Sequence, residues 1–173
     1  MANSSPKEQF LRTFEREVAT TAKVLKSLPA DQAELKPAPL CKTARELAWT
    51  MASEQGMSIV ALTSGFDWSK PLDMPKAPDA IAPVITAFEQ GAQHVVDLVR
   101  DMPDEQLENS TVQFFSGPGQ MRDYTRLEFL WYFLSDQIHH RGQFSIYLRM
   151  AGGKVPSIYG PTADENPFAR VSV

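Results

Sequence analysis

Apolar residues recur every three or four positions along most of this chain, and this spacing constrains the fold more than any other feature. In an α-helix it places the apolar side chains on one side, where they can be buried together. The pattern predicts four helices, at about 6–28, 43–62, 79–102 and 123–151. Since no segment has a convincing strand pattern, we expect an all-α fold, an antiparallel four-helix bundle with irregular loops.

Short signals mark where several of these elements begin and end. Thr43–Glu46 has the spacing of a capping box at the start of the second helix, and Gly152–Gly153 can cap the last one. Between the third and fourth helices, 104–120 is expected to be irregular, with 111–115 as a candidate short extended piece. From Lys154 onward, a tail rich in Pro, Gly and Tyr is expected to extend across the bundle.

The length and composition are those of an ordinary globular domain. The 173 residues are expected to form one domain, 1–173, and a formal net charge of −4 argues against a broad nucleic-acid-binding surface. The polar N-terminal stretch does not resemble a signal peptide, and no apolar run approaches the roughly 18 residues of a membrane span. The single cysteine, Cys41, excludes an internal disulfide and fits a reducing cytoplasm. We therefore expect a cytoplasmic protein with no nucleic-acid or membrane partner.

One polar cluster interrupts the most apolar part of the chain. It is 135–143, reading SDQIHHRGQ, between mostly apolar runs at 127–134 and 144–148. A helix that is apolar on nearly every side belongs inside a bundle. An acid, two imidazoles and a guanidinium are costly there unless they are paired, hydrogen-bonded or bound to a metal. The sequence therefore predicts that a functional site, if present, is built around this segment.

Asp136 and His140 lie one helical turn apart within this cluster, so their functional atoms can converge. A carboxylate and a neutral imidazole are ligands for Zn, Ni, Mn or Fe. Two protein ligands make a weak site, so a third is expected from a facing helix, with positions left open for water or substrate. A hydrogen-bonded acid–imidazole pair without metal explains the same two residues, and both interpretations stay open.

Two neighbouring residues have separate interpretations. His139 lies about 100° around the helix from His140, so the two cannot easily serve one ion, and His139 is expected to face another helix or a dimer partner. Arg141 can pair with an acid such as Glu46 or Glu54 as a structural salt bridge, or it can bind an anionic ligand.

Three stretches resemble the DinB/YfiT-like family of bacterial four-helix bundles. Residues 137–150, reading QIHHRGQFSIYLRM, resemble the family's last core helix, and 152–161, reading GGKVPSIYGP, match a tail of one branch. Glu46–Trp49, reading ELAW, resembles the beginning of the family's second helix. The resemblance covers most of the chain and implies the bundle fold, a divalent metal held by three histidines, and a homodimer.

By position, this resemblance places the three metal-binding histidines at Thr50, Asp136 and His140, of which only His140 is a histidine here. Related mycothiol-dependent enzymes use a carboxylate at the place of Asp136, but the hydroxyl of Thr50 is a poor metal ligand. Glu54 lies one turn beyond Thr50 on the same face, and it would complete an Asp/His/Glu set.

Two functions follow from the resemblance. The first is a thiol-dependent transferase, in which a divalent metal such as Zn or Ni binds a low-molecular-weight thiol as thiolate for attack on an electrophile. Arg141 or Lys154 would then hold a carboxylate of the thiol cofactor. The second is a non-catalytic, stress-associated dimeric bundle with a degenerate metal site, with or without a small apolar ligand.

Overall fold

Four long helices form the body of the protein. The computed structural model describes residues 4–72, 74–166 and 168. In chain order the elements are α1 (Pro6–Lys26), a 3₁₀ turn (Ala30–Gln32), α2 (Ala44–Leu62), α3 (Ile81–Asp101), α4 (Asp104–Asn109), β1 (Thr111–Gly117), β2 (Gln120–Thr125) and α5 (Arg126–Met150). The predicted four-helix bundle is confirmed, and the predicted helix boundaries agree within three residues. The largest difference is at the start of α5, because the preceding residues belong to β2.

Three of the long helices, α1, α2 and α5, begin at a capping box. A Ser or Thr hydroxyl accepts a hydrogen bond from the backbone N–H three residues on, and the Glu at that position accepts one from the N–H of the cap residue. The pairs are Ser5 with Glu8, Thr43 with Glu46, and Thr125 with Glu128. The capping box predicted at Thr43 is therefore confirmed.

The helices pack in a ring in which α1 and α2 each contact both α3 and α5. Lys7 Nζ donates to the backbone oxygen of Met102 at 2.6 Å, so the start of α1 lies beside the end of α3. Arg45 Nη1 donates to the backbone oxygen of Pro78 at 3.0 Å, which places the start of α2 beside the start of α3. Because α2 and α3 run in the same direction, the connection 63–80 returns along the length of the bundle.

The helices α2 and α3 approach each other closely at Gly91. A Cβ atom on this residue would lie 2.8 Å from Cβ of Gln55 on α2, closer than carbon atoms pack in proteins. Any larger residue at this crossing would push the two helices apart, which is why glycine fits there. The contact therefore sets how closely α2, the helix that carries Glu54, packs against α3.

The interior contains two main apolar clusters, one at each end of the bundle. Phe88 and Phe144 belong to the cluster at the end where α2 and α3 begin, and Phe10 and Leu130 belong to the cluster at the opposite end. Buried polar side chains from α1, α2 and α5 lie between the two clusters. Within the described ranges, no helix is long and apolar enough to cross a membrane.

The segment between α3 and α5 is more regular than the sequence indicates. The expectation that 104–120 is irregular is wrong, because α4 and the antiparallel pair of β1 and β2 occupy most of it, whereas the candidate extended piece at 111–115 is confirmed as part of β1. Gly119, with a φ of +69°, lies in the turn between the strands. In β1, Val112 and Phe114 are buried against Phe129 of α5 while their neighbours are exposed. Two inward side chains indicate an extended piece, but this short alternation does not show that it pairs with β2.

The C-terminal tail lies across α1 and α5, as predicted. Gly152, with a φ of +70°, ends α5 as the predicted glycine cap. Lys23 Nζ on α1 lies 2.8 Å from Glu165 Oε2 in the tail. Tyr159 Oη in the tail donates to Glu17 Oε2 on α1 at 2.7 Å. These contacts hold the tail against the bundle.

Candidate metal centre

Three potential metal ligands converge where α2 faces α5. Glu54 comes from α2, and Asp136 and His140 come from successive turns of α5. His140 Nε2 lies 3.4 Å from Glu54 Oε1 and 3.7 Å from Asp136 Oδ2. One ligand atom from each residue lies within 4.8 Å of those of the other two. The structure thus brings together Asp136, His140 and Glu54, the Asp/His/Glu set considered from the sequence.

Neighbouring side chains fix the alignment of α2 and α5 at this point. The two helices run in opposite directions, since Tyr147 Oη near the end of α5 donates to the backbone oxygen of Lys42, just before α2, at 2.9 Å. One residue beyond the site on each helix, Gln55 Nε2 donates to Gln137 Oε1 at 2.6 Å inside the core. Sliding one helix past the other would separate these buried amides, so the pair favours the alignment that assembles the site.

Glu54 is a buried acid. Its exposed fraction is 3%, and neither carboxyl oxygen has a hydrogen-bond partner among the described residues. Burial, together with the nearby charge of Asp136, raises the pKa of Glu54 to about 9. Without a bound cation the carboxyl group is therefore neutral near pH 7, and a cation beside it would favour its ionised form.

The imidazole of His140 is oriented by the next turn of α5. His140 Nδ1 lies 3.0 Å from Gln143 Oε1. An amide oxygen only accepts hydrogen bonds, so this contact assigns the proton to Nδ1 and leaves a lone pair on Nε2. Nε2 is the atom that faces Glu54 and Asp136. Orientation of a histidine ligand through its second nitrogen is the usual arrangement in protein metal sites.

A cavity of about 580 Å³ borders the group of three ligands. Glu54 and Asp136 line it, whereas His140 lines a neighbouring cavity of about 350 Å³. Lys42 lines both cavities. Besides Glu54 and Asp136, the walls of the larger cavity include a third acid, Glu46, the apolar or aromatic residues Trp49, Met57, Phe114, Tyr132 and Phe133, and the polar residues Arg45, Thr50 and Lys76.

Thr50 lies on the wall of the larger cavity but outside the group of converging ligands. Its hydroxyl donates to the backbone oxygen of Glu46 at 3.1 Å and accepts a hydrogen bond from Lys42 Nζ at 2.6 Å. Both interactions satisfy the hydroxyl within the protein. The position where the resemblance implies a metal-binding histidine on the second helix is thus occupied by a threonine that binds an ammonium group.

Arg141 lies inside the bundle, on a different side of α5 from the site. Its partner is Glu17 of α1, with 2.8 Å between Nη2 and Oε2, and not Glu46 or Glu54 as considered from the sequence. The side chain of Arg141 is 1% exposed, so its guanidinium does not reach the cavity, and its position lends no support to a role in holding a cofactor. Lys154 does not line the cavity either.

His139 points away from the ligand group. The residue is exposed, and its Nε2 lies 3.0 Å from Gln143 Nε2. Gln143 therefore contacts both histidines, one through each end of its amide. The structure agrees with the separation of His139 and His140 that a rotation of about 100° per residue predicts.

The donor set fits a divalent ion. Two carboxylates and one imidazole suit Zn, Ni, Mn or Fe, and three protein ligands leave coordination positions open towards a cavity. A bound ion would also give the buried carboxyl oxygens of Glu54 the partner that the described residues do not supply. Glu54, Asp136 and His140 can therefore hold a divalent metal.

Sequence reasoning does not identify Lys42 at the cavity or Glu17, the buried partner of Arg141. Lys42 is exposed and precedes the capping box of α2, and it shares no helical spacing with the polar cluster of α5. Glu17 lies on α1, and the partner of Arg141 cannot be identified without knowing that α1 and α5 are neighbours. The sequence signal for Glu17 is its spacing of three residues from the apolar Phe14 on the same predicted helix.

Comparison with known proteins gives consistent results. The model of the DinB family matches residues 1–167 of this chain. YrdA of Bacillus subtilis (strain 168), described as uncharacterized, is 25% identical over 158 residues, which are 91% of this chain and 90% of YrdA.

Solved structures show the same fold. A DinB-like protein from Bacillus cereus ATCC 10987 has a TM-score of 0.73 at 24% identity, covering 88% of this chain and 97% of the other. YfiT from Bacillus subtilis has a TM-score of 0.63 at 17% identity, covering 88% and 92%. YfiT is described as a probable metal-dependent hydrolase with an unusual four-helix bundle topology.

Proposed function

Since this chain belongs to the DinB family, we propose that it binds a divalent metal ion through Glu54, Asp136 and His140 and activates a small nucleophile there. The observation that carries the proposal is the buried carboxyl group of Glu54, whose oxygens face the other two groups and lack a hydrogen-bond partner among the described residues. A buried acid in such a place is expected to have a function, since leaving it unpaired destabilises the fold.

When bound by Glu54, Asp136 and His140, such an ion would supply Lewis-acid chemistry that lowers the pKa of a water or thiol. The residues of the chain supply the rest of the site. Gln143 holds the imidazole of His140 so that Nε2 faces the two acids. Phe114 and Phe133 give the adjacent cavity apolar walls that exclude water from part of it.

The finer assignment within this proposal is a thiol-dependent transferase. A low-molecular-weight thiol would lose its proton to solvent, and its sulfur would form a bond to the carbon of an electrophile. With an alkyl halide, the carbon–halogen bond breaks and the halide leaves with the bonding electrons. The cavity of about 580 Å³ has room for a small electrophile beside the ligand group.

Hydrolysis is the second candidate. The side chain of Asp136 is 41% exposed, so the ligand group is open to water on that side. YfiT, which shares the fold, is described as a probable metal-dependent hydrolase. In this case water would be the nucleophile and would add across an ester or amide bond.

Metal content tests the proposal directly. Full-length protein purified without an affinity tag is analysed by plasma mass spectrometry, together with His140→Ala and Glu54→Gln. We expect near-stoichiometric metal in the wild type and its loss in both variants. The matched control is His139→Ala, which removes the adjacent imidazole that lies outside the ligand group and should keep the metal.

Absence of metal after incubation with Zn, Ni and Mn would contradict the proposal. Glu54 would then remain protonated and could share its proton with His140 Nε2, 3.4 Å away, in a metal-free polar cluster. That result would favour the non-catalytic alternative. If metal is present, loss of free thiol with an alkyl halide, compared with ester hydrolysis in the same preparation, separates the two reactions.

We also propose that the protein forms a homodimer in the cytoplasm. The outer face of α5 carries exposed apolar side chains, among them Tyr132, Ile146 and Met150, and the exposed His139. We expect a dimer by light scattering on a sizing column, and we expect Ile146→Glu to weaken it if this face is the interface. A monomeric wild type at micromolar concentration would contradict the dimer, and cell fractionation tests the location.

A further inference from the structure

Lys42 is a fixed positive charge on the wall of the cavity. Its Nζ donates to Thr50 Oγ1 at 2.6 Å. Thr50 uses its own proton towards the backbone oxygen of Glu46, so its lone pair is available to hold the ammonium. No carboxylate oxygen among the described residues lies within 4.0 Å of Lys42 Nζ, and an ammonium has two further N–H groups to donate.

The other basic residues that line the cavity, Arg45 and Lys76, differ in the interactions they make within the protein. Arg45 Nε lies 2.6 Å from Glu34 Oε1, and Nη1 donates to the backbone oxygen of Pro78, so its guanidinium is engaged within the protein. Lys76 lines the cavity, is exposed, and forms no ion pair within the described part of the chain. Lys42 and Lys76 are therefore the two cations of this cavity that are available to a ligand.

The same cavity also has an acidic region. Glu54 is buried there beside Asp136, and this region suits a metal rather than an anion. The apolar residues Met57, Phe114 and Phe133 also line this cavity. A ligand that matches these features has an apolar body and one negatively charged group that Lys42 can bind.

We propose that Lys42, held by Thr50 and assisted by Lys76, is the anion-binding residue of this cavity, and that its ligand is a small apolar molecule with one carboxylate. The inference rests on the proposed function only for the reaction of the ligand, because the reactive end of the bound molecule would face the metal. Binding of the carboxylate does not depend on a metal, because both lysines belong to the protein itself.

The test compares two probes of nearly equal shape, 3-phenylpropionate and its neutral amide, by titration calorimetry at low ionic strength. Full-length protein is first freed of metal with a chelator. We expect the carboxylate to bind about tenfold more tightly than the amide, as a charge-assisted hydrogen bond predicts. Lys42→Met should abolish this preference, and Lys42→Arg should keep most of it. Lys76→Met should reduce it.

Lys70→Met is the matched control. Lys70 is exposed, pairs with Asp67 at 3.1 Å and does not line the cavity, so its substitution removes the same formal charge without affecting the site. It should leave the preference unchanged. Thermal unfolding of every variant checks that the fold is intact. The proposal is overturned if the carboxylate binds no better than the amide, or if its preference persists in Lys42→Met.

Repeating the titrations with Zn separates this inference from the proposed function. A carboxylate preference that arises only with Zn and survives Lys42→Met means that the metal binds the carboxylate, which overturns the inference and leaves the metal site standing. A preference that needs Lys42 in a protein that binds no Zn supports the inference while the proposed function fails.

Discussion

Arg141 and Glu17 form an ion pair inside the bundle, with 2.8 Å between Arg141 Nη2 and Glu17 Oε2. Both side chains are at most 2% exposed. Arg141 also donates to Thr21 Oγ1 at 3.3 Å, and Tyr159 donates to Glu17 at 2.7 Å. The histidine and arginine at adjacent positions of α5 therefore have different roles, since His140 faces α2 and the candidate site while Arg141 joins α5 to α1.

Removing one member of this pair should strongly destabilise the protein. Glu17→Gln leaves the buried guanidinium of Arg141 without a counter-charge, and we expect a loss of about 3–5 kcal/mol in the free energy of unfolding, measured by urea denaturation. The double variant Glu17→Gln/Arg141→Met should lose less, because neither charge is then buried alone. Glu15→Gln is the control, since Glu15 forms a half-exposed pair with Arg100 worth about 0–1 kcal/mol. Equal losses at Glu15 and Glu17 would contradict the argument.

The same pair should make the protein sensitive to acid. Burial raises the pKa of Glu17, but hydrogen bonds from Tyr159 and Arg141 outweigh this effect and hold the pKa below its ordinary value of 4.5. A lowered pKa contributes stability that is present above pH 4.5 and is lost as the pH falls towards the pKa in the folded state. Wild-type unfolding free energy should therefore fall below about pH 4.5, and that of Glu17→Gln should fall less steeply. Parallel curves would contradict this prediction.

Tyr159 should anchor the C-terminal tail. Its hydroxyl accepts from Arg141 Nη2 at 2.6 Å and donates to Glu17, so Tyr159→Phe removes two hydrogen bonds to charged groups. We expect a loss of about 1.5–3 kcal/mol in the free energy of unfolding and faster backbone hydrogen exchange around 154–166. Tyr132→Phe is the control, since its hydroxyl makes no hydrogen bond within the described ranges. Unchanged exchange in the tail would show that other contacts hold it.

The raised pKa of Glu54 predicts a pH dependence of opposite sign. Burial and the charge of Asp136 raise this pKa to about 9, so in metal-free protein the acid contributes stability fully below its ordinary value of 4.5 and loses it as the pH rises towards 9. Relative to Glu54→Gln, the wild type should lose up to about 1.4 kcal/mol per pH unit within this window. Unfolding at pH 6, 7 and 8 in the presence of chelator measures it. The exposed Glu105→Gln should follow the wild type. No difference between wild type and Glu54→Gln would mean that burial does not raise the pKa of Glu54 in the folded protein.

The bundle could be predicted because the apolar spacing of each helix is a local property. Helix starts could also be predicted where a capping box is local, as at Thr43. The parallel direction of α2 and α3 could not, because it depends on how the connection 63–80 crosses the bundle. The pairing of the extended piece 111–115 with β2 could not be predicted for a related reason, since Val112 and Phe114 are buried by residues distant in the chain, including Phe66, Trp68 and Phe129.

Within the candidate site, only the relationships between residues on the same helix could be predicted from spacing alone. The spacing of Asp136 and His140 indicates their convergence, because both lie on α5. The contact of His140 with Glu54 depends on the alignment of α2 with α5, which the buried amides of Gln55 and Gln137 help to set. Lys42 could not be found in this way, since its proximity to Thr50 joins the end of a loop to a helix.

A histidine at position 50 should strengthen metal binding. Thr50 lies one turn before Glu54 on α2, and both line the same cavity, so the imidazole in Thr50→His can approach the ligand group as a fourth donor. We expect Zn to bind at least about tenfold more tightly than in the wild type, which corresponds to about 1.4 kcal/mol, measured by competition with a chelating dye. Thr86→His is the matched control, because Thr86 is exposed on α3 and its hydroxyl donates to the backbone four residues earlier, as that of Thr50 does. Equal Zn affinity in Thr50→His and Thr86→His would mean that a side chain at position 50 does not reach the ligand group.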